Sequence, residues 1–327
     1  MLLEFQCPIC SADAWEEYAV RVYRRSDVRN GGSCPDEYTR RRLDVLFSAW
    51  FPDRDEVCVS VRGCGGCGFV CFNPRPDARD VERKYELLGK IGNTGAGETP
   101  VDSPYELRRA RRMYGILRSN SSLKVGTRVL DYGGGDGRLM RDVAGHGARC
   151  FLVDYNQKPC SWVTRLGNTL ADITKEERRY DLCVLSHVME HVVTPVDLLK
   201  GLRFVLKREG QVYCEVPMEC WRRLPRLDEP VTHVNFFTPS SLATAFRRAG
   251  YAVNHCRLCE YWAGAPDRLG LAIGCWARVS DPSAVAGNSR SDLMRWMTPN
   301  LLRRVQVAIC SPRTTTRNLQ HRIRAWN

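Results

Sequence analysis

At 327 residues, 43% hydrophobic and 26% charged, the chain can bury a large core and hold one full domain plus a smaller one. No apolar run approaches the roughly 18 residues of a membrane-crossing helix, and the opening MLLEFQCPIC has neither a basic leader nor a long apolar stretch; the expected location is the cytoplasm, with no membrane partner. The net charge of +12 suits a polyanion, but the basic residues are scattered over Arg40–Arg42, Arg108–Arg112, Arg222–Arg226, Arg303–Arg304 and the tail, so solvated helix faces account for most of them and nucleic acid is not the leading partner.

Sixteen cysteines in a reducing compartment point to metal ligands and buried thiols rather than a disulfide framework. Two C-x-x-C knuckles stand near the start, Cys7-Pro-Ile-Cys10 and Cys64-Gly-Gly-Cys67. Together they supply the four soft ligands of a tetrahedral zinc, and four thiolates leave no open position, so the expected metal is structural. The gap between the knuckles exceeds the roughly 15–20 residues of compact zinc ribbons, but loop-closure cost grows slowly with length. Residues 1–88 are taken as this zinc-binding segment. Residues 89–103, GKIGNTGAGETPVDS, lack periodicity and form an expected linker. Ser103-Pro104-Tyr105-Glu106 then has the form of a capping box with proline at the first helical position, and Leu107, Ala110, Tyr114 and Leu117 fall on one helical face.

From Thr127 strand-like and helix-like segments alternate: TRVLDYG, RLMRDVAGHG, ARCFLVDY, an expected helix over 156–167, DLCVLSHV, PVDLLKGLRFVLK, QVYCEVP, TPSSLATAFRRAGY and GLAIGCWARV. The alternation predicts an α/β fold, Rossmann-like and doubly wound, with a mostly parallel sheet and ligands at the carboxyl ends of its strands. The domain is placed at 104–280, with 281–327 as a basic extension.

The first carboxyl end reads Asp131-Tyr132-Gly133-Gly134-Gly135-Asp136-Gly137. A pyrophosphate needs bare amides at a helix N-terminus; Asp131 and Asp136 repel it and accept a cationic amine or sulfonium. The next strand ends in Asp154, placed to take both hydroxyls of a ribose. A phosphate-free nucleoside with a charged amino-acid arm fits S-adenosylmethionine.

The stretches VLDYGGGDGRL, FLVDYN, YDLCVLSHVMEHVVTP, YCEVP and THVNFFTPSSLATAFRRAGY together resemble class I S-adenosylmethionine-dependent methyltransferases, and specifically the bacterial group with an N-terminal four-cysteine zinc segment. The resemblance covers residues 1–10 and 60–280. It implies that Asp131, Gly133, Gly135 and Gly137 hold the methionine arm, Asp154 the ribose, and Asp172 and Ile173 the adenine, with His187 beside the cofactor and the Glu190-His191 pair bordering cofactor and acceptor. The implied partner is a small-molecule methyl acceptor, a sugar or a precursor of a polysaccharide or natural product.

His187-Val-Met-Glu190-His191 also matches H-x-x-E-H, which on a helix offers two imidazoles to zinc and a glutamate as general base. Here His187 ends a strand, so the two imidazoles do not share a helical face, and the zinc-peptidase reading is set aside. The candidate acid–base residues for methyl transfer are His191, Glu190 and His233, with Glu215 behind them. The pair Cys256-x-x-Cys259 lies in a strand without a second knuckle and is taken as chance. Two alternatives remain: an RNA methyltransferase with zinc-assisted binding, against which the aromatics are not interleaved with the basic runs, and a catalytically inactive binding module, against which the glycine loop is intact.

Overall fold

The computed structural model describes residues 6–30, 36–91, 100–155, 159–173, 179–221, 223–262, 269–280, and positions 292, 293 and 296. In chain order the elements are β1 (Trp15–Arg24), α1 (Arg25–Arg29), α2 (Glu37–Val45), β2 (Glu56–Cys64), β3 (Val70–Asn73), α3 (Ala78–Ile91), α4 (Pro104–Asn120), β4 (Arg128–Tyr132), α5 (Arg141–Gly145), β5 (Arg149–Val153), β6 (Thr164–Gly167), β7 (Tyr180–Ser186), α6 (Pro195–Val205), β8 (Leu206–Pro217), β9 (Asn235–Phe236), α7 (Pro239–Arg248), β10 (Tyr251–Trp262) and β11 (Leu269–Val279). No helix among the described residues is long and apolar enough to cross a membrane.

The central sheet has seven strands in the order β10-β11-β8-β7-β4-β5-β6. β6, β5, β4, β7 and β8 run parallel, while β11 and β10 close the edge antiparallel. The central strands are continuous apolar runs because both faces are covered. On one side Met113 and Leu117 of α4 and Val143 of α5 pack with Val129, Leu182 and Val184; on the other Leu199, Leu202, Leu242 and Phe246 of α6 and α7 pack with Leu130, Cys183 and Leu185. From β4 the chain winds outward through β5 and β6, then returns to place β7 on the opposite flank of β4. The order therefore reverses between β4 and β7, opening a crevice beyond their carboxyl ends. Asp131 in β4 and His187 just after β7 border it.

The expectation of a helix over 156–167 is corrected in part. Residues 156–158 lie outside the described set, but Thr164–Gly167 is strand β6, paired parallel to β5. Its short apolar pattern favoured neither period, and sheet pairing decided it. Helix α3 continues to Ile91, and 92–99 of the expected linker lie outside the described residues. The expected 281–327 extension is described only at 292, 293 and 296; Leu293 and Trp296 are buried.

A second, four-stranded sheet has the order β1-β2-β3-β9. Its last strand belongs to the segment between β8 and α7, with Val70 opposite Phe236 and Cys71 opposite Asn235. Phe72 packs edge-on against Phe236, and Phe69 against Phe237. The apolar core is continuous across both sheets.

Asn235, 1% exposed, fixes this junction. Its amide nitrogen donates to the carbonyls of Met189 and Val192, each at 2.6 Å, and Arg75 donates to its oxygen at 2.6 Å. Arg75 also donates to the Val193 and Val234 carbonyls. Replacement Asn235→Ala strands two carbonyls and an arginine donor; urea denaturation is expected to show a loss of roughly 2–4 kcal/mol.

Candidate functional site

The strand β4 ends in a turn whose Gly133, Gly135 and Gly137 all have positive φ, at 72°, 66° and 81°. At Gly133 a side chain is excluded twice over, by this conformation and by Val188, whose methyl would lie 2.6 Å from an added Cβ. The glycine loop thus rests directly on the segment that follows β7. Asp131 is fully buried beneath Gly134, and neither of its carboxylate oxygens has a hydrogen-bond partner. Burial first, then repulsion from Asp154 and Asp136, pushes its pKa up to about 7. A buried carboxylate without partners is costly, and a cation docked over the loop offsets that cost. Asp136 differs: Arg138 pairs with it at 2.6 Å.

Asp154, just past β5, accepts a hydrogen bond from the Gly135 amide at 2.9 Å, which locks the loop to the acid expected at a ribose. Asp172 is exposed, and its carboxylate accepts from the amides of Asn168 and Thr169 at 2.8 and 2.9 Å. It caps a short 3-10 turn over Leu170–Asp172, while neighbouring Ile173 is 2% exposed in the core.

On the other flank of the switch point, His187 leaves β7 at φ 58°, a left-handed conformation costly for a residue with a Cβ. Its amide donates to the Glu215 carbonyl at 2.9 Å. A chain of alternating charge starts at Arg112 in α4, which lies 2.5 Å from Glu215; Glu215 is 3.7 Å from His187 Nε2, and His187 Nδ1 is 3.2 Å from Glu190. Tyr213 donates to Glu215 at 2.8 Å. Burial alone would lower the His187 pKa, but Glu190 and Glu215 override it and raise it to about 9. Burial alone would raise Glu215, and Arg112 with His187 holds it down at about 2. Glu190, 1% exposed, is likewise lowered against its burial by His187.

The segment before β9 completes the site. The Val234 amide donates to the Glu190 carbonyl at 2.9 Å. His191 Nδ1 is 2.9 Å from the Thr232 carbonyl, and His233 Nδ1 is 2.7 Å from Glu219. The two imidazoles face each other with centroids 4.8 Å apart. Burial, with repulsion from His233 and Lys84, lowers the His191 pKa to about 4 despite Glu190, whereas Glu219 raises His233 against its burial. The expected candidates His191, Glu190 and His233 are therefore brought together. His187 stands apart from His191 with Glu190 between them, as its strand-end position requires. Neither Glu190 nor His191 caps the following helix, whose N-cap is Thr194.

Sequence reasoning missed Arg112, Tyr213 and Glu219, which reach the site only through tertiary packing. It also missed Tyr85 of α3, whose ring lies 6.3 Å from that of Tyr155. A cleft opens beside His233, bordered by Glu219, Arg226, Glu229 and Thr232.

The four expected metal ligands also converge. Cys7, Cys10, Cys64 and Cys67 are buried, with all sulfurs within 4.8 Å of one another; Cys7–Cys67 is 3.8 Å and Cys10–Cys64 3.5 Å. A tetrahedron with zinc–sulfur bonds of about 2.3 Å has edges of about 3.8 Å. The residues after each knuckle, Ser11 and Gly68, turn at φ 63° and 79°, so the two hairpins repeat one backbone shape. The long interval is filled by β1, α1, α2 and β2, and the β1–β2 ladder sets Trp15 opposite Cys64. Cys256 and Cys259, three apart in β10, contact different groups, the Pro239 carbonyl and Glu215 respectively.

His187 supplies a pH prediction. Its pKa is raised on folding, so its stabilisation is complete below the unfolded value near 6.5 and disappears as pH rises through about 9. The melting temperature is expected to fall between pH 7 and 10, with a flatter profile in His187→Gln, as calorimetry across that range would read.

Residues 105–255 match a family model described as a methyltransferase domain. No curated protein matches the chain in sequence. Among solved structures, the chain is similar to an S-adenosylmethionine-dependent methyltransferase from Methanosarcina mazei, at 15% identity and TM-score 0.41 over 51% of this chain and 98% of that one. It is similar to another from Mesorhizobium loti, at 18% identity and TM-score 0.40 over 54% and 99%. A third is the 1,6-didemethyltoxoflavin-N1-methyltransferase of Burkholderia thailandensis, with bound 1,6-didemethyltoxoflavin and S-adenosylhomocysteine, at 15% identity and TM-score 0.45 over 62% and 87%. These likenesses are of fold alone. The strand order, its switch point and the glycine loop agree with the family match, and residues 105–255 are a methyltransferase domain.

Proposed function

We propose that this chain is an S-adenosylmethionine-dependent methyltransferase that modifies a small-molecule acceptor, a sugar or a precursor of a polysaccharide or natural product. The observation that carries the cofactor is the buried, partnerless Asp131 carboxylate under the glycine loop. The acceptor class follows the resemblance set out from the sequence. S-adenosylmethionine, when bound, supplies a methyl group on a cationic sulfonium. Asp131 then balances the charged amino-acid arm, while Gly133, Gly135 and Gly137 let the backbone close on it. Asp154 takes the ribose hydroxyls, Asp172 and Ile173 border the adenine, and His187 lies beside the cofactor. His191, Glu190 and His233 face the acceptor across the switch point and orient it for in-line displacement, where positioning supplies much of the rate.

The proposed division of the chain is a zinc-binding segment 1–88, a linker 89–103, the methyltransferase domain 104–280 and an extension 281–327. Zinc on Cys7, Cys10, Cys64 and Cys67 is structural in this reading. The double replacement Cys64→Ser, Cys67→Ser is expected to remove about one zinc per chain by plasma emission and to lower the melting temperature.

Cofactor binding tests the central claim by titration calorimetry. In the free protein Asp131 is protonated below about 7, and the cationic arm needs the carboxylate, so binding releases a proton there. Affinity is expected to rise by about tenfold per pH unit up to that value and then level off. Asp131→Asn should abolish the slope and Asp154→Ala should weaken binding. Unchanged affinity in both variants would overturn the assignment.

A further inference from the structure

Glu190, His191 and His233 present three ligand atoms within 4.8 Å of one another, and their hydrogen bonding fixes what those atoms are. The Thr232 carbonyl can only accept, so His191 Nδ1 carries the proton towards it and Nε2 holds a lone pair when the ring is neutral. That Nε2 faces Glu190 Oε1 at 3.9 Å. His233 uses the same device: Nδ1 donates to the Glu219 carboxylate, which leaves Nε2 with a lone pair when the ring is neutral. Glu190 is 1% exposed, and neither of its oxygens makes a hydrogen bond of good geometry. On its strand side Glu190 Oε1 is 3.2 Å from His187 Nδ1; on its cluster side it faces the His191 lone pair, two acceptors with no proton between them.

Such an arrangement is completed by a cation. Each imidazole has its outer nitrogen tied to a carbonyl or carboxylate, the pattern that orients histidine ligands around metals. Two imidazoles and one carboxylate form a facial set that leaves positions open for exogenous oxygen ligands. Bonds of about 2.1 Å bring ligand atoms to about 3–3.5 Å from one another, within reach of small side-chain rotations from the distances present. His191 and His233 are each about a quarter exposed, and His233 borders the cleft, so the open positions face the acceptor side. The neighbouring Lys84 ammonium is turned to the Val231 and Thr232 carbonyls.

We propose that Glu190, His191 and His233 bind a divalent transition-metal ion, and that the acceptor is a molecule presenting one or two oxygens, such as a vicinal diol or hydroxy-carbonyl group, to that ion. The acceptor clause rests on the methyltransferase reading; the metal clause does not. The test is equilibrium dialysis of the zinc-loaded full chain against Co²⁺, with visible absorption recorded and S-adenosylmethionine binding measured in parallel by calorimetry. Thiolate-to-cobalt charge transfer separates any exchange at the four cysteines from binding to nitrogen and oxygen. The expected result is about one Co²⁺ per chain without that band, lost in His233→Ala and in Glu190→Gln, and weakened about 10- to 100-fold in Glu219→Gln, with cofactor affinity retained in Glu219→Gln. Absence of cobalt binding in the parent protein, or binding unchanged in all three variants, overturns the metal site. Loss of cofactor binding by the parent protein while cobalt still binds would instead overturn the methyltransferase reading.

Discussion

The carboxamide of Asn235 is the knot of this structure. It joins three segments far apart in sequence: the turn after β7, the short strand β9 and the Arg75 side chain from the N-terminal unit. The turn after β7 carries Glu190 and His191, and the segment before β9 carries His233. Their convergence depends on the junction Asn235 makes, because His233 lies two residues before it on the same segment and Met189 and Val192, which accept its bonds, flank Glu190 and His191. Buried amides are costly unless every donor and acceptor is met. Here both donors and the oxygen are met by groups that cannot move independently.

The charges divide the crevice into two unlike sides. Around the glycine loop, acids predominate and Asp131 is left without a counterpart. Across the switch point, Arg112, Glu215, His187 and Glu190 alternate in sign, so that each charge is balanced by its neighbours. The first side is incomplete without a cation of its own; the second is a fixed dipolar scaffold. A site that reacts by displacement at a positive centre gains from this contrast, since preorganised dipoles need no rearrangement as charge moves.

Legibility in the sequence followed the range of the interactions. The glycine loop and the acid one strand later depend on local backbone geometry, and the alternating pattern placed them at adjacent strand ends. The convergence of the two knuckles was legible from their spacing, although nothing in the sequence showed that a β-ladder would close their long separation. The meeting of His191 with His233 was not legible as geometry: the contact spans a loop in which Thr232, 41 residues from His191, supplies the partner. The same limit hid Arg112 and Glu219. Thr164–Gly167 was misjudged because four residues carry too little periodicity to separate a strand from a helical turn.

Strand β9 has a consequence for how the chain is made. The edge of β3 is completed by residues synthesised long after it, Val70 waiting for Phe236. Until β8 has emerged and the following segment has folded back, that edge offers bare amides beside Phe69 and Phe72, the composition that invites intermolecular pairing. The cysteine knuckles are complete by residue 68, so in the proposed zinc-bound form metal capture can precede closure of the sheet. Such early cross-linking would hold β2 and β3 in place as a template during translation, guarding the nascent edge until its last strand arrives.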